Sequence, residues 1–125
     1  MKVALAQINA TVGDLEGNAR RIVNAARRAY GQGVHLVIAP ELALTGYPPE
    51  DLLLRPAFMS ACEQALRGIA RELMSSQGLH LLVGHPHQFG DRGDVRTKST
   101  SQPLRFNAAS VLAGGRIVGT YCKRE

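Results

Sequence analysis

The sequence predicts an α/β fold built on a mixed sheet, and three observations carry that reading. Short apolar runs alternate with two longer stretches of helical period, giving the order strand, helix, strand, helix, strand. The runs "VHLVIA" (34–39) and "LHLLVG" (79–84) are almost continuously apolar, as parallel strands covered on both faces are. The last segment pairs "FNAASVLA" with "RIVGTYCK" across Gly114-Gly115, a dipeptide able to supply the positive φ angles of a tight hairpin. Crossover helices with right-handed connections and a C-terminal antiparallel hairpin follow.

Each element has its own signal. Val3 to Ile8 alternates as a short strand, and Asp14 then offers a side-chain oxygen to start a helix. Leu15, Ala19, Ile22, Val23, Ala26 and Tyr30 recur at spacings of three and four, until Gly31 and Gly33 end that helix. Within "VHLVIA", the lone His35 reads as a rim or satisfied core residue and not as a ligand, because no second metal-binding side chain stands near it in the sequence. Pro56 suits the first turn of a second helix, whose buried stripe is Phe58, Cys62, Ala65, Leu66, Ile69 and Leu73. Residues 88–105, "QFGDRGDVRTKSTSQPLR", lack any apolar period and read as a surface loop; the Arg92-Gly93-Asp94 within it is a chance match to an adhesion tripeptide. In a regular final strand Lys123 shares a face with Tyr121 and Ile117, and Cys122 points the other way.

Composition narrows the function classes. At 125 residues and 45% apolar content the chain has the size and core-forming capacity of one small domain. No run approaches the roughly 20 apolar residues of a membrane span, and the N-terminus turns polar too early for a signal peptide. The expectation is a cytoplasmic protein without membrane association. Without a secretory signal, the Asn9-Ala10-Thr11 sequon carries no weight. Cys62 and Cys122 form neither a disulfide framework nor a metal-ligand spacing, so both are expected as reduced thiols. A charge of +5 and a pI near 9.8 raise a nucleic-acid partner, but Arg20, Arg21, Arg27 and Arg28 fall on one helix with no interleaved aromatics. A solvated helix face explains them, and no nucleic-acid partner is expected.

One carboxylate stands out. Glu41 follows "VHLVIA" directly, and a buried parallel strand delivers its C-terminal residues to the sheet rim where open α/β folds place ligands. From position alone it is a loop carboxylate, a brace for the Gly-Tyr-Pro-Pro turn, or a functional group. The wider sequence bears on that choice. "ALAQIN", "GDLEGN", "GVHLVIAPELALTGYPPEDLL", "LLVGHP" and "FNAASVLAGGRIVGTYCKRE" together resemble the nitrilase superfamily of carbon–nitrogen hydrolases, in order and at suitable separations. Within it, "ELALTGYPPEDLLLRPAF" is most similar to the N-terminal glutaminase domain of glutamine-dependent NAD synthetases.

The resemblance implies the N-terminal part of an αββα sandwich, with residues 1–125 a partial carbon–nitrogen hydrolase domain. It also implies a Glu, Lys and Cys triad. Glu41 matches the general base and Lys123 the cation that stabilises the tetrahedral intermediate, a division of labour consistent with thiol chemistry. Tyr47 matches a tyrosine beside the glutaminase pocket, although packing the turn with Pro48 and Pro49 explains it equally. The family's cysteine lies downstream of the lysine, so it is expected beyond Glu125, leaving this fragment inactive by itself. Glutamine is the implied substrate and a homo-oligomer the implied full-length state. No cofactor is expected on this fragment; ATP and Mg are expected for an absent C-terminal synthetase domain. Half of a sandwich would leave apolar sheet surface and an edge uncovered. Phe106, where the family often has tyrosine, and the long 88–105 loop are departures from the pattern. The alternatives are a free-standing amidase or carbamoylase and a non-catalytic remnant acting through interactions.

Overall fold

Helix α1 (Leu15–Gly31) begins where the sequence offers a cap: the Asp14 carboxylate accepts the Gly17 N–H at 3.0 Å. It ends in a Schellman arrangement, with Val34 N–H donating to Ala29 O at 3.1 Å and Gly33 N–H to Tyr30 O at 3.0 Å. Gly33 sits at φ +88°, a conformation that a residue with a Cβ resists. The structure, a computed structural model, describes residues 2–11, 13–40, 43–46, 56–89 and 104–123, with the backbone alone at 87–89, 104–107 and 122–123.

Five strands form one sheet in the order β1-β2-β3-β4-β5: Val3–Leu5, Leu36–Ile38, His80–Phe89, Leu104–Ala113 and Arg116–Lys123. The first two pairings are parallel and the last two antiparallel, which is the mixed sheet the sequence predicts. Helix α2 (Pro56–Glu72) links β2 to β3, as α1 links β1 to β2. Gly114 and Gly115 turn the final hairpin at φ +62° and +86°.

The two helices share a core with one face of the sheet. Ile22, Val23 and Ala26 of α1, Cys62, Leu66 and Ile69 of α2, and Val37, Leu81, Val83 and Leu112 of the sheet are all buried in one cluster. A side chain of this size contributes roughly 1.5–3 kcal/mol when fully buried. Across the top of the helices Arg27 pairs with Glu72 at 3.1 Å, and Tyr30 O–H donates to Gln77 O at 2.8 Å. Arg20, Arg21, Arg27 and Arg28 are exposed, in agreement with a solvated helix face. His35 is exposed at the rim, edge-on to Tyr30 with ring centroids 5.5 Å apart. No helix among the described residues is long and apolar enough to cross a membrane.

The opposite sheet face carries apolar side chains without such cover among the described residues: Leu5 is 74% and Tyr121 76% exposed. This is the uncovered surface expected of one α/β layer.

Three sequence expectations need correction. Strands β1 and β2 are shorter than their apolar runs, because ladder pairing holds only where all three parallel strands run side by side. Strand β3 continues through Pro86 to Phe89 and β4 starts at Leu104, so both ends of the expected 88–105 loop are strand; residues 90–103, Arg92-Gly93-Asp94 among them, lie outside the described residues. Pro86 is compatible with the strand because, among the described residues, β2 pairs only as far as Leu82 and β4 is the ladder neighbour of β3 at that position. Finally, a bulge shifts the β4–β5 register: Leu112 opposes Ile117 but Val111 opposes Gly119, leaving Val118 extra. Ile117 therefore packs on the core while Tyr121 points to the open face, so the two do not share a side.

Leu66 is 1% exposed at the centre of this core. Leu66→Ala is expected to cost about 2–5 kcal/mol in urea denaturation; a loss below about 1 kcal/mol would mean the helix face is misassigned.

Candidate active site

Sheet polarity determines which residues meet. β4 runs against β3 and β5 runs against β4, so β5 is parallel to β1, β2 and β3. The C-terminal ends of those four strands therefore reach the same edge. Strand β2 leads there through Ala39 and Pro40 to Glu41, and β5 ends there at Lys123. Lys123 opposes Asn107, which opposes Pro86, four residues beyond the Leu82 that pairs with Ile38. Three ladder spacings separate β2 from β5 by about 14 Å. Glu41 and Tyr47 lie outside the described residues, as does the Lys123 side chain.

The segments on either side of residues 41 and 42 are anchored. Ala39 N–H donates to Leu82 O at 2.8 Å, continuing the parallel ladder, and Ala43 N–H donates to Pro40 O at 3.0 Å. Ala43, Leu44, Thr45 and Gly46 are buried. Their backbone is tied to the loop entering α1: Gly13 N–H donates to Thr45 O at 3.0 Å, and Asn18 Nδ2 donates to Leu44 O at 2.9 Å. Asn18 also donates to Thr11 O at 2.7 Å and accepts from Thr11 N–H at 2.8 Å and from Arg21 Nη1 at 2.9 Å. Its amide thus makes two donor and two acceptor bonds while fully buried, which satisfies it completely.

A second polar chain crosses β3, β4 and β5 beneath the same edge. His85 Nδ1 lies 2.9 Å from Pro86 O, and a carbonyl only accepts, so Nδ1 carries a proton. In the neutral ring Nε2 then accepts from Ser110 O–H at 2.6 Å, and Thr120 O–H donates to Ser110 Oγ at 2.9 Å. His85 and Ser110 are buried, and with Ser60, Glu63 and Thr120 they line a cavity of about 190 Å³ against α2.

Sequence reasoning missed Asn18, Thr45, His85 and Ser110. Asn18 had a usable signal: it falls between Leu15 and Ile22 on the buried stripe of α1, where a lone amide must find partners. Ser110 and His85 had none, because their meeting depends on strand register.

Cys62 is buried among apolar side chains, and burial pushes its thiol up to about 12. It is a neutral core group with no nucleophilic character near neutral pH.

The sequence model of one family, carbon-nitrogen hydrolase, matches residues 2–125. The chain belongs to the carbon–nitrogen hydrolase family. Among its relatives is a glutamine-dependent NAD(+) synthetase of Xanthomonas campestris, 42% identical across 100% of this chain and 20% of that protein. The chain thus spans about a fifth of the length of the curated relatives it matches. Two solved structures share the fold. A glutamine-dependent NAD(+) synthetase from Cytophaga hutchinsonii superposes with TM-score 0.80 at 23% identity, over 98% of this chain and 19% of that one. A glutamate-to-glutamine mutant of the amidase from Nesterenkonia sp. AN1 superposes with TM-score 0.74 at 28% identity, over 100% of this chain and 44% of that one; it shows Michael addition of acrylamide at the active site cysteine.

The Cys62 thiol is raised from 9.0 to about 12, so its contribution to stability is complete below pH 9 and is lost as pH rises from 9 to 12. Near pH 8, one unit below the free value of 9.0, iodoacetamide is expected to spare Cys62 in the folded protein and label it in urea. Mass spectrometry reads the site, and labelling at the same rate in both states would contradict its burial.

Proposed function

We propose that this chain is the glutamine-hydrolysing part of a glutamine-dependent NAD synthetase. The observation that carries the reading is the 42% identity to such a synthetase along the whole chain. The shared sheet edge supports it, because Pro40, the residue before Glu41, and Lys123, the last residue of β5, approach the same rim two residues apart in register.

In this reading Glu41 takes the proton from a cysteine supplied by sequence C-terminal to this chain. The thiolate sulfur bonds to the side-chain amide carbon of glutamine, and the carbonyl π electrons move to its oxygen. Lys123 stabilises that oxyanion. Collapse of the intermediate breaks the C–N bond, with Glu41 returning the proton so that ammonia leaves and a thioester remains. Water, deprotonated by Glu41, then attacks the thioester; glutamate leaves and the thiol is restored. The roughly 14 Å between β2 and β5 leaves space for an amide between two long side chains. Tyr47 is assigned to the wall of the glutamine pocket.

The ammonia is consumed in amidating nicotinic acid adenine dinucleotide to NAD. ATP and Mg are assigned to the synthetase portion of the protein. Among the described residues no three His, Cys, Asp or Glu side chains group as a metal site, so no residue of this chain is offered as a ligand.

The test uses the complete protein containing this chain. Glu41→Gln and Lys123→Ala are each expected to lower glutamine-driven NAD formation by about 10²–10⁴-fold while ammonia-driven formation persists. Unchanged glutamine-driven rates would exclude the assignment. Glutamine hydrolysis with no NAD formation from either nitrogen source would favour a free-standing amidase.

A further inference from the structure

We infer that Asn18 is the positioning residue for Glu41, an inference that rests on the glutaminase reading above. Glu41 stands in a two-residue step between fixed points. The upstream point, Ala39, is locked into the sheet through Leu82 O. The downstream point, Ala43–Gly46, has no strand neighbour among the described residues; its ties to the rest of the fold include Asn18 Nδ2 to Leu44 O and Gly13 N–H to Thr45 O. Only the first of these comes from a side chain. It reaches from α1, which the core holds rigidly, to a carbonyl three residues beyond Glu41.

Asn18 suits this task. One amide oxygen and one amide N–H grip both polar groups of Thr11, so the side chain cannot rotate without losing two bonds. Arg21 holds the same oxygen from the side. The remaining N–H therefore points in a fixed direction, and the Leu44 carbonyl is held there in a fully buried setting. An aspartate has the same shape but presents an oxygen to two carbonyls, Thr11 O and Leu44 O, which releases the loop while keeping both acceptor bonds. Displacing a general base by about 1 Å costs on the order of 100-fold in rate.

The experiment compares wild type, Asn18→Asp, Asn18→Ser and Glu41→Gln in the complete protein, each titrated with an electrophilic glutamine analogue to count functional sites. For Asn18→Asp the expected result is glutamine hydrolysis slowed about 100-fold per labelled site, with KM within about twofold of wild type. The pH profile of that rate should shift on its acidic limb, which reports the base. A merely structural asparagine would reduce the number of labelled sites and leave the rate per site and its pH profile at wild-type values, and that outcome overturns the proposal. If Asn18→Asp yields no labelled sites, Asn18→Ser, too short to reach Leu44 O, is read by the same criteria. If Glu41→Gln keeps full activity, the proposal falls together with the glutaminase reading; if Glu41→Gln is inactive and the Asn18 variants match wild type per site, it falls alone.

Discussion

The direction of β5 is the constraint on which the candidate site depends. A hairpin following a parallel strand ordinarily leaves its first arm antiparallel and its second parallel to the rest. Here that second arm ends at Lys123, on the edge that receives the segments following β1, β2 and β3. Had the chain stopped at one antiparallel strand, its last residue would sit at the opposite edge. The Gly114-Gly115 turn is thus what brings a residue 85 positions away in sequence to the edge where β2 ends.

A hairpin arm at the margin of a sheet is prone to slip in register, and a slip of one residue reverses every side chain. Two features oppose it. Val118 is accommodated in a bulge, which fixes the pairing on either side because another register would require the bulge to move. Beyond it, Thr120 is tied through Ser110 to His85, so one hydrogen-bonded chain spans three strands close to the end of β5. His85 and Ser110 are buried and partnered while Thr120 is exposed, consistent with the chain contributing specificity of register more than raw stability.

Much of this was legible in the sequence. Asp14, Gly33, Pro56 and the Gly-Gly turn act through local backbone chemistry, and each stands at the element boundary that its residue type predicts. The apolar stripes of α1 and α2 face the core they were expected to face. What was not legible depends on partners distant in sequence. "RIVGTYCK" alternates as a regular strand would, and only the opposing residues of β4 reveal the bulge. "HPHQF" carries a proline and two histidines, and it becomes strand because β4 supplies a ladder that no local propensity records. For the site, the two strand ends that meet at one edge followed from element order, while the buried amide that holds the segment following β2 did not.

The bracing matters because of the kind of chemistry proposed. A carboxylate that moves a proton to and from a thiol must first lie within hydrogen-bond reach of it, and only then does its proton affinity count. A loop end free to move by an ångström would spend most of its time outside that reach. Among the described residues the parallel ladder reaches Ala39, two residues before Glu41, so the segment on the other side of Glu41 needs its own anchor. The fold answers with burial of residues 43–46 and with an amide on a neighbouring helix whose four bonds leave it no alternative orientation. The rigidity of α1, earned in the hydrophobic core, is in this way passed toward the rim through Asn18 together with the buried side chains of Ala43 and Leu44. A polar residue on an apolar helical stripe is consequently better understood by the backbone it holds than by the core it interrupts.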